Sequence, residues 1–310
     1  MTKIVTLTFN PCIDKNTTIP SLAPEKKLRC TSPQFEPGGG GINVSRVIKC
    51  LGGESLAIFP AGAHTGNFLK TLMQREGLTF AAVQTANYTR ENLIVFDEST
   101  RLQYRFGMPG NPITAQECRA LLDEVEKADA EYIVASGSLM PGMPVDIVQQ
   151  VAQIAKNKGA KLVMDTSGEA LRKALEVGVY LLKPNLGELS SLVGKEEVSH
   201  EAVDEIAREI IARGQCEMVV VSMGAQGARM ITKDEVHHVI APLVKGVSTL
   251  GAGDSLVAGM VLALSRKKPL NEVLQYGVAC GTAATLSQGS QLCRSEDVER
   301  LFNIISGKQR

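Results

Sequence analysis

The chain reads as an α/β protein of three layers: a mostly parallel central sheet between two layers of helices, with a small β-sheet lid. Three observations predict this. Apolar runs at 161–164, 179–182 and 218–221 are continuous rather than alternating, as strands buried on both faces must be. Amphipathic stripes separate such runs along most of the chain, the rhythm that builds a parallel sheet with helices on either side. Two segments, residues 12–36 and 88–107, break that rhythm.

The elements follow in order. Residues 1–10, MTKIVTLTFN, read as a first strand and not as a signal peptide, because no apolar stretch follows a basic start. Residues 12–36 carry no helical pattern. Val44, Val47, Ile48 and Leu51 fall on one helix face, and Gly52–Gly53 stops that helix. In 88–107, NLIVFD and LQYRF flank a turn near EST. Leu102, Tyr104 and Phe106 alternate there with Gln103 and Arg105, which predicts a hairpin. The two irregular segments predict antiparallel pieces forming a discontinuous lid, or a dimer surface, on one domain spanning 1–310. Decorated surface loops are the plain alternative. Thr114-x-x-Glu117 is a capping box, opening a helix striped by Cys118, Leu121, Leu122 and Val125. Residues 132–135 read as a strand. Pro144 suits the first turn of a helix that ends at Gly159. Helices are expected at 199–213, 254–265, 270–286 and 295–305.

Composition narrows the partners. The 310 residues are 44% apolar, and 33 basic residues balance 33 acidic ones. Nucleic acid and anionic membranes bind through a basic excess that is absent here. The weakly polar stretch 273–286 is too short and broken to span a bilayer. Cys12, Cys30, Cys50, Cys118, Cys216, Cys280 and Cys293 are odd in number and scattered, with no CxxC. That fits reduced thiols in a cytoplasmic protein. The four histidines show no zinc-ligand spacing, and His237–His238 read as part of a surface strand.

Four stretches carry chemistry. In TLGAGDS, Gly251 and Gly253 let backbone N–H groups converge, and a helix start adds a positive dipole end. This makes an anion hole with Asp254 beside it, placed to take a proton from an attacking hydroxyl. That pairing makes sense for phosphoryl transfer, where catalysis is mostly positioning and charge stabilisation. The same residues also fit an aspartate capping a helix. EPGGGGINVSR sets four glycines before a helix with Asn43 in its first turn. It allows close backbone approach to a ligand or is a flexible turn; it is neither a Walker A loop nor a dinucleotide fingerprint. In LLKPNLGELSS, Asn185 and Glu188 share one helix face, which suits the outer shell of Mg²⁺ or a helix cap. VVVSMGAQGA runs a buried strand into Ser222, Gly224 and Gly227, where open α/β sheets bind nucleotides. Lys27, Arg29, Arg90 and Arg105 all belong to the lid segments. Arginine forks match phosphate oxygens, so a ligand under the lid is expected to carry a phosphate.

In this order the motifs resemble the PfkB branch of the ribokinase-like sugar kinases. TLGAGDS is similar to the family's second signature, GGGGINVSR to its first, and NLGE to its Asn-x-x-Glu metal motif. The likeness covers essentially the whole chain. EKKLRCTSPQFEPGGGGIN, all glycine where other branches carry a lysine, resembles the 6-phosphofructokinase type within the family. The resemblance implies an ATP-dependent kinase acting on the C-1 hydroxyl of fructose 6-phosphate to give fructose 1,6-bisphosphate and ADP. It implies Asp254 as base and Gly251, Ala252 and Gly253 as donors to the transferring phosphoryl group. Asp14, Gly39, Gly40 and Asn43 hold the sugar in this reading. Lys27, Arg29 and Arg90 hold the 6-phosphate, with Ser138 lining the pocket. Lys183, Asn185, Ser222, Gly224, Gln226 and Gly227 contact ATP, and Glu188 with Asn185 places Mg²⁺. Ser248, Leu250, Ala284 and Ser287 would frame a monovalent cation such as K⁺. The type often has arginine where Gln291 stands and asparagine where Ser287 stands, which weakens that last assignment. A homodimer through the lid is implied too.

Other readings compete. Kinases for tagatose 6-phosphate or fructose 1-phosphate share the chemistry. A non-catalytic sugar-phosphate or nucleotide sensor would have kept the fold, yet Asp254, Gly251, Gly253, Asn185 and Glu188 are all present. A dinucleotide-dependent oxidoreductase lacks its fingerprint after the first strand.

Overall fold

The computed structural model describes residues 3–287 and 289–307. The chain runs β1 (Ile4–Thr8), β2 (Cys12–Ile19), β3 (Gln34–Gly38), α1 (Gly40–Cys50), β4 (Leu56–Gly62), α2 (Ala63–Arg75), β5 (Thr79–Thr85), β6 (Arg90–Asp97) and β7 (Leu102–Phe106). It continues through α3 (Ala115–Lys127), β8 (Tyr132–Ser136), α4 (Ile147–Lys158), β9 (Lys161–Asp165), α5 (Gly168–Val177), β10 (Val179–Leu182), α6 (Leu186–Val193) and α7 (Val203–Ala212). It closes with β11 (Cys216–Ser222), β12 (Ala228–Thr232), β13 (Val236–Val239), α8 (Ala252–Ser265), α9 (Leu270–Ala284) and α10 (Ser295–Ile305).

The large sheet has the order β13-β12-β11-β10-β9-β8-β1-β4-β5. It is parallel from β11 to β5, and antiparallel only where β12 and β13 turn back at one edge. The continuous apolar strands explain the layering, because alternate residues feed opposite cores. Val5, Leu7, Ile133, Leu162 and Met164 pack with α3 to α7. Ile4, Tyr132, Val134, Val163 and Leu181 pack with α1, α8, α9 and α10. α2 covers the β4 end of that second face through Leu69, Leu72 and Met73. Helix α8 is buried on every side from Ser255 to Leu264, as a helix apolar all round must be.

β1 is the pivot. The chain goes from it toward β4 and β5, then returns to lay β8 on its other side. Ligands in open α/β sheets bind at such a switch, outside the carboxyl ends of the strands. The second sheet, β3-β2-β6-β7, lies over that end.

Several expectations change in detail. The lid's central pair, β2 with β6, is parallel, so the lid is not purely antiparallel. Pro144 lies in a turn ahead of the helix, its carbonyl accepting the Ile147 N–H, and α4 begins at Ile147. The 199–213 helix opens as a 3₁₀ turn, His200–Ala202. The 270–286 helix ends at Ala284, where Thr285, Leu286 and Ser287 bond back three residues and tighten the last turn. The Thr114–Glu117 capping box forms as expected. His237 and His238 lie on β13.

Candidate active site

Four strand ends and two helix starts converge under the lid. β8 ends at Ser136 and β9 at Asp165, Lys183 follows β10, and Asn10 follows β1. α1 brings Asn43 and α8 brings Asp254, each in a first turn.

The glycine run is tightly packed rather than loose. A Cβ on Gly38 would stand 2.6 Å from Asp14 Oδ2, one on Gly40 2.1 Å from Ser136 Oγ, and one on Gly41 2.6 Å from the Leu7 carbonyl oxygen. Gly39, at φ +111°, takes a conformation open to few other residues. The run therefore lays α1 directly on β1 and β8. Asn43 Nδ2 then donates to Asp254 Oδ2 at 2.9 Å, while its buried Oδ1 has no partner among the described residues.

Asp254 is the third residue of α8, behind Gly251 at φ +71°. Ser136 Oγ donates to its Oδ1 at 3.4 Å. Burial and the charge of Asp165 push the Asp254 carboxyl up to about 7, against the pull of Asn43, Lys183 and Ser136. Lys183 pairs with Asp165 at 3.0 Å, and its Nζ would stand 3.6 Å from a Cβ on Gly253. Burial works against the Lys183 charge, but Asp165, with Glu188 and Asp254, holds the ammonium above its ordinary value. A fixed cation thus backs the glycine turn. Within that turn the Ala252 N–H already reaches the Thr249 carbonyl at 3.4 Å.

Asn185 and Glu188 form a reciprocal capping box, each side chain accepting the other's backbone N–H at 2.8 Å. Asn185 also bridges to Ser222. Ser222, Gly224 and Gly227 line a mostly apolar cleft of about 430 Å³ that runs to Ala252 and Gly253. Gln226 gives its carbonyl to His238 and does not line the cleft. The far wall is the 241–246 segment with Thr282 and Thr285. Ile240 and Leu243 stand exposed beside it.

The inner face of the lid is polar. Asp14 is buried and accepts from Asn92 Nδ2 at 2.9 Å and from the Cys12 thiol at 3.3 Å. Arg90 donates to the Met108 carbonyl at 2.8 Å and the Asn10 carbonyl at 3.0 Å, and its Nε has no partner among the described residues. Asn10 in turn donates to Ser138 at 3.4 Å. Arg105 reaches the Ser248 and Thr249 hydroxyls, and Ser248 donates to Gln103 at 3.0 Å, so β7 is fastened to the segment leading into the Gly251 turn. Lys27 and Arg29 remain exposed on the loop between β2 and β3 and are not brought to Arg90 by any hydrogen bond or ion pair among the described residues. Ser287 donates to the Leu292 carbonyl at 2.9 Å, and the Ala284 carbonyl accepts the Ser287 N–H.

Sequence reading missed Ser136, Asp165 and Asn92, and the 241–246 wall. A signal for the first two exists. Each is a polar residue closing an apolar strand, at the sheet edge where ligands bind.

The class follows from what meets at Asp254. A carboxylate titrating near neutrality shares one glycine turn with a nucleotide-sized cleft, which is the equipment of a kinase acting on a hydroxyl; the polar-faced lid marks a sugar kinase. The model for the pfkB family of carbohydrate kinases matches residues 4–297, and the chain belongs to that family, with its ribokinase-like fold. It is 44% identical to the ATP-dependent 6-phosphofructokinase isozyme 2 of Escherichia coli over 99% of this chain and 100% of that one. Against the 1-phosphofructokinase of Bacillus subtilis identity is 32%, over 96% of this chain and 97% of that one. The crystal structure of the Escherichia coli phosphofructokinase-2 in complex with fructose-6-phosphate superposes at a TM-score of 0.94, with 43% identity over 99% and 100% of the two chains. That protein has also been solved in complex with potassium and in a tetrameric inhibited form.

Proposed function

We propose that the protein is an ATP-dependent 6-phosphofructokinase, the whole chain working as one kinase unit under its lid. The observation that carries the chemistry is Asp254: a carboxylate near neutrality, in the first turn of α8, beside an Asn43 Oδ1 with no partner among the described residues. The identity to a 6-phosphofructokinase, well above that to a 1-phosphofructokinase, supports the substrate.

In this reading the C-1 hydroxyl of the sugar lies between Asn43 and Asp254. Asn43 Oδ1 orients it and Asp254 takes its proton as the bond to phosphorus forms. N–H groups of Gly251, Ala252 and Gly253, the dipole of α8 and the Lys183 ammonium stabilise the charge on the moving phosphoryl group. Asp14, Gly39 and Gly40 hold the sugar ring, and Arg90, Arg29 and Lys27 hold the 6-phosphate beside Ser138. The cleft lined by Ser222, Gly224 and Gly227 receives the nucleotide, with Asn185 next to Ser222 and Gln226 in the same loop.

Mg²⁺ fits this site. The Asn185 N–H takes only one Glu188 oxygen, which leaves the other for a metal-bound water, and few protein ligands suit Mg²⁺. Such an ion neutralises phosphate charge. A monovalent cation would be held by the backbone oxygens of Ser248, Leu250, Ala284 and Ser287, of which the Ala284 carbonyl already accepts the Ser287 N–H. The reaction as described does not depend on it.

A homodimer through the lid is part of the proposal. Leu102 and Phe106 are 60% and 44% exposed, on the face of β7 opposite Gln103 and Arg105. No helix among the described residues is long and apolar enough to cross a membrane, and seven free cysteines suit the cytoplasm.

The deciding experiment compares initial rates of ADP release from MgATP with fructose 6-phosphate, tagatose 6-phosphate, fructose 1-phosphate and fructose. Fructose 6-phosphate is expected to be preferred. Preference for another phosphosugar keeps the base and the anion hole and overturns the substrate.

A further inference from the structure

Three cysteines meet where α1, α9 and the segment ahead of α10 come together. Cys50 ends α1 and is exposed, while Cys280 in α9 and Cys293 before α10 are buried. The Cys50 thiol donates to the Cys293 carbonyl at 3.4 Å, and the Cys293 thiol lies against that of Cys280. Nothing in the chemistry above uses them.

The segment that carries Cys293 touches both halves of the site. Ser290 bonds the Glu36 carboxylate, accepts from Asn16 of β2 at 2.8 Å, and gives its carbonyl to Arg46 of α1 at 3.3 Å. Leu292 packs on the anion hole, where a Cβ on Gly251 would stand 2.4 Å from Leu292 Cδ2. A covalent bond at Cys293 therefore acts one residue from that contact.

We propose that Cys50 and Cys293 are a modification site: an oxidisable thiol pair whose disulfide ties the end of α1 to the 289–293 segment and slows phosphoryl transfer. The oxidant is a small disulfide of the glutathione class. The Cys50 thiolate attacks one of its sulfurs, breaking the S–S bond and releasing one small thiol. The Cys293 thiolate then attacks the Cys50 sulfur, forming the protein disulfide and expelling the second small thiol. Two protein thiols lose two electrons and two protons, and the oxidant becomes two thiols. Cys280 is sealed from the oxidant and acts differently: its thiol holds Cys293 below the usual thiol range, which favours the thiolate that resolves the bond. Burial holds Cys50 above its ordinary value, which makes capture of the oxidant the slower step. The Cys50 sulfur already rests on the Cys293 carbonyl, and closing the bond requires the two Cβ atoms to come within ~3.5–4.5 Å.

The test uses the full chain with Cys30→Ser, which removes the other exposed thiol. The protein is treated with oxidised glutathione, digested and mapped by mass. The expected product is one linked peptide containing residues 50 and 293, lighter by two hydrogens and undone by dithiothreitol. With Cys293→Ala added, glutathione stays on Cys50. Turnover of the linked form is expected to fall ~10-fold or more, because even a 1 Å misplacement can cost on the order of 10²-fold. Cys50→Ser keeps its turnover through the same treatment. Glutathione persisting on Cys50 with Cys293 present, a 280–293 link, or a linked protein at full turnover would each overturn the proposal. The turnover arm rests on the kinase reading; the peptide map does not, so the two fail separately.

Discussion

Asn43 Nδ2 donates to Asp254 Oδ2 at 2.9 Å across 211 residues of chain. The bond joins the helix after the glycine run to the helix after the Gly251 turn, so both signature motifs meet at one carboxylate. Asp254→Asn keeps the shape and a carbonyl acceptor for Asn43 but takes no proton. Its kcat is expected to fall by ~10²-fold or more, with both substrates still binding in equilibrium titrations. Near-normal turnover would remove Asp254 as the base.

The pH dependence follows from the same group. With its carboxyl near 7, kcat/KM falls as pH drops below about 7, since the base must be ionised. Lys183 lowers that value and Asp165 raises it. Lys183→Met therefore moves the acid limb to higher pH and Asp165→Asn to lower pH. Pre-steady-state rates across pH decide this, and shifts in the same direction would contradict the charge arrangement. Stability runs with opposite sign to activity. A carboxyl whose pKa rises on folding, here from 3.8 to about 7, stabilises fully below its unfolded value and loses that contribution as pH climbs to the folded one. Asp254→Asn is expected to melt above the parent at about pH 8, with the gap closing toward about pH 4.

Gly251 faces two separate constraints. Its φ of +71° disfavours any side chain, and a Cβ would collide with Leu292. Gly251→Ala should cost about 1–2 kcal/mol from the backbone alone, plus the collision, and should lower kcat. Adding Leu292→Ala relieves only the collision. Thermal melts of the single and double variants separate the two, and full recovery in the double variant would show that the backbone angle is not limiting.

Arg90 has two of its donors on the Asn10 and Met108 carbonyls. Arg90→Ala is expected to raise KM for the phosphosugar, loosen the 107–112 segment, and leave KM for ATP nearly unchanged. Arg90→Lys should not rescue it, because an ammonium cannot span both carbonyls as a planar fork does. A KM effect confined to ATP would move Arg90 to the nucleotide side.

Leu102→Glu with Phe106→Glu is expected to give monomers by light scattering at concentrations where the parent is dimeric. A monomeric parent at micromolar concentration would refute the lid interface.

Much of this site is readable from local chemistry, because its anchors sit at places that glycine punctuates. GAGD and GGGG mark turns before helices, and the β7 alternation separates Gln103 and Arg105 from Leu102 and Phe106. Asn185 and Glu188 are readable as a cap or as metal-site residues from their spacing alone, and the structure shows the cap formed. Other features depend on sheet order, which no local pattern encodes. Asp165 becomes a neighbour of Asp254 only because β9 lies two strands from β1, and Ser136 matters only because Gly40 packs on it. The parallel pairing of β2 with β6 was hidden for the same reason: each strand's alternation is indifferent to the direction of its partner.

That pairing has a further meaning. β2 and β6 are joined in register from Cys12–Arg90 to Ile19–Asp97, yet β3, α1, β4, α2 and β5 separate them in the chain. The lid is thus spliced from two places and cannot be excised or transplanted by a single cut. A chimera that exchanges only one of its segments with a relative pairs a native strand with a foreign one and disturbs the sheet at its centre. Exchange of substrate preference by recombination needs two coordinated crossovers, which makes stepwise point substitution on the inner face the easier route to a new sugar.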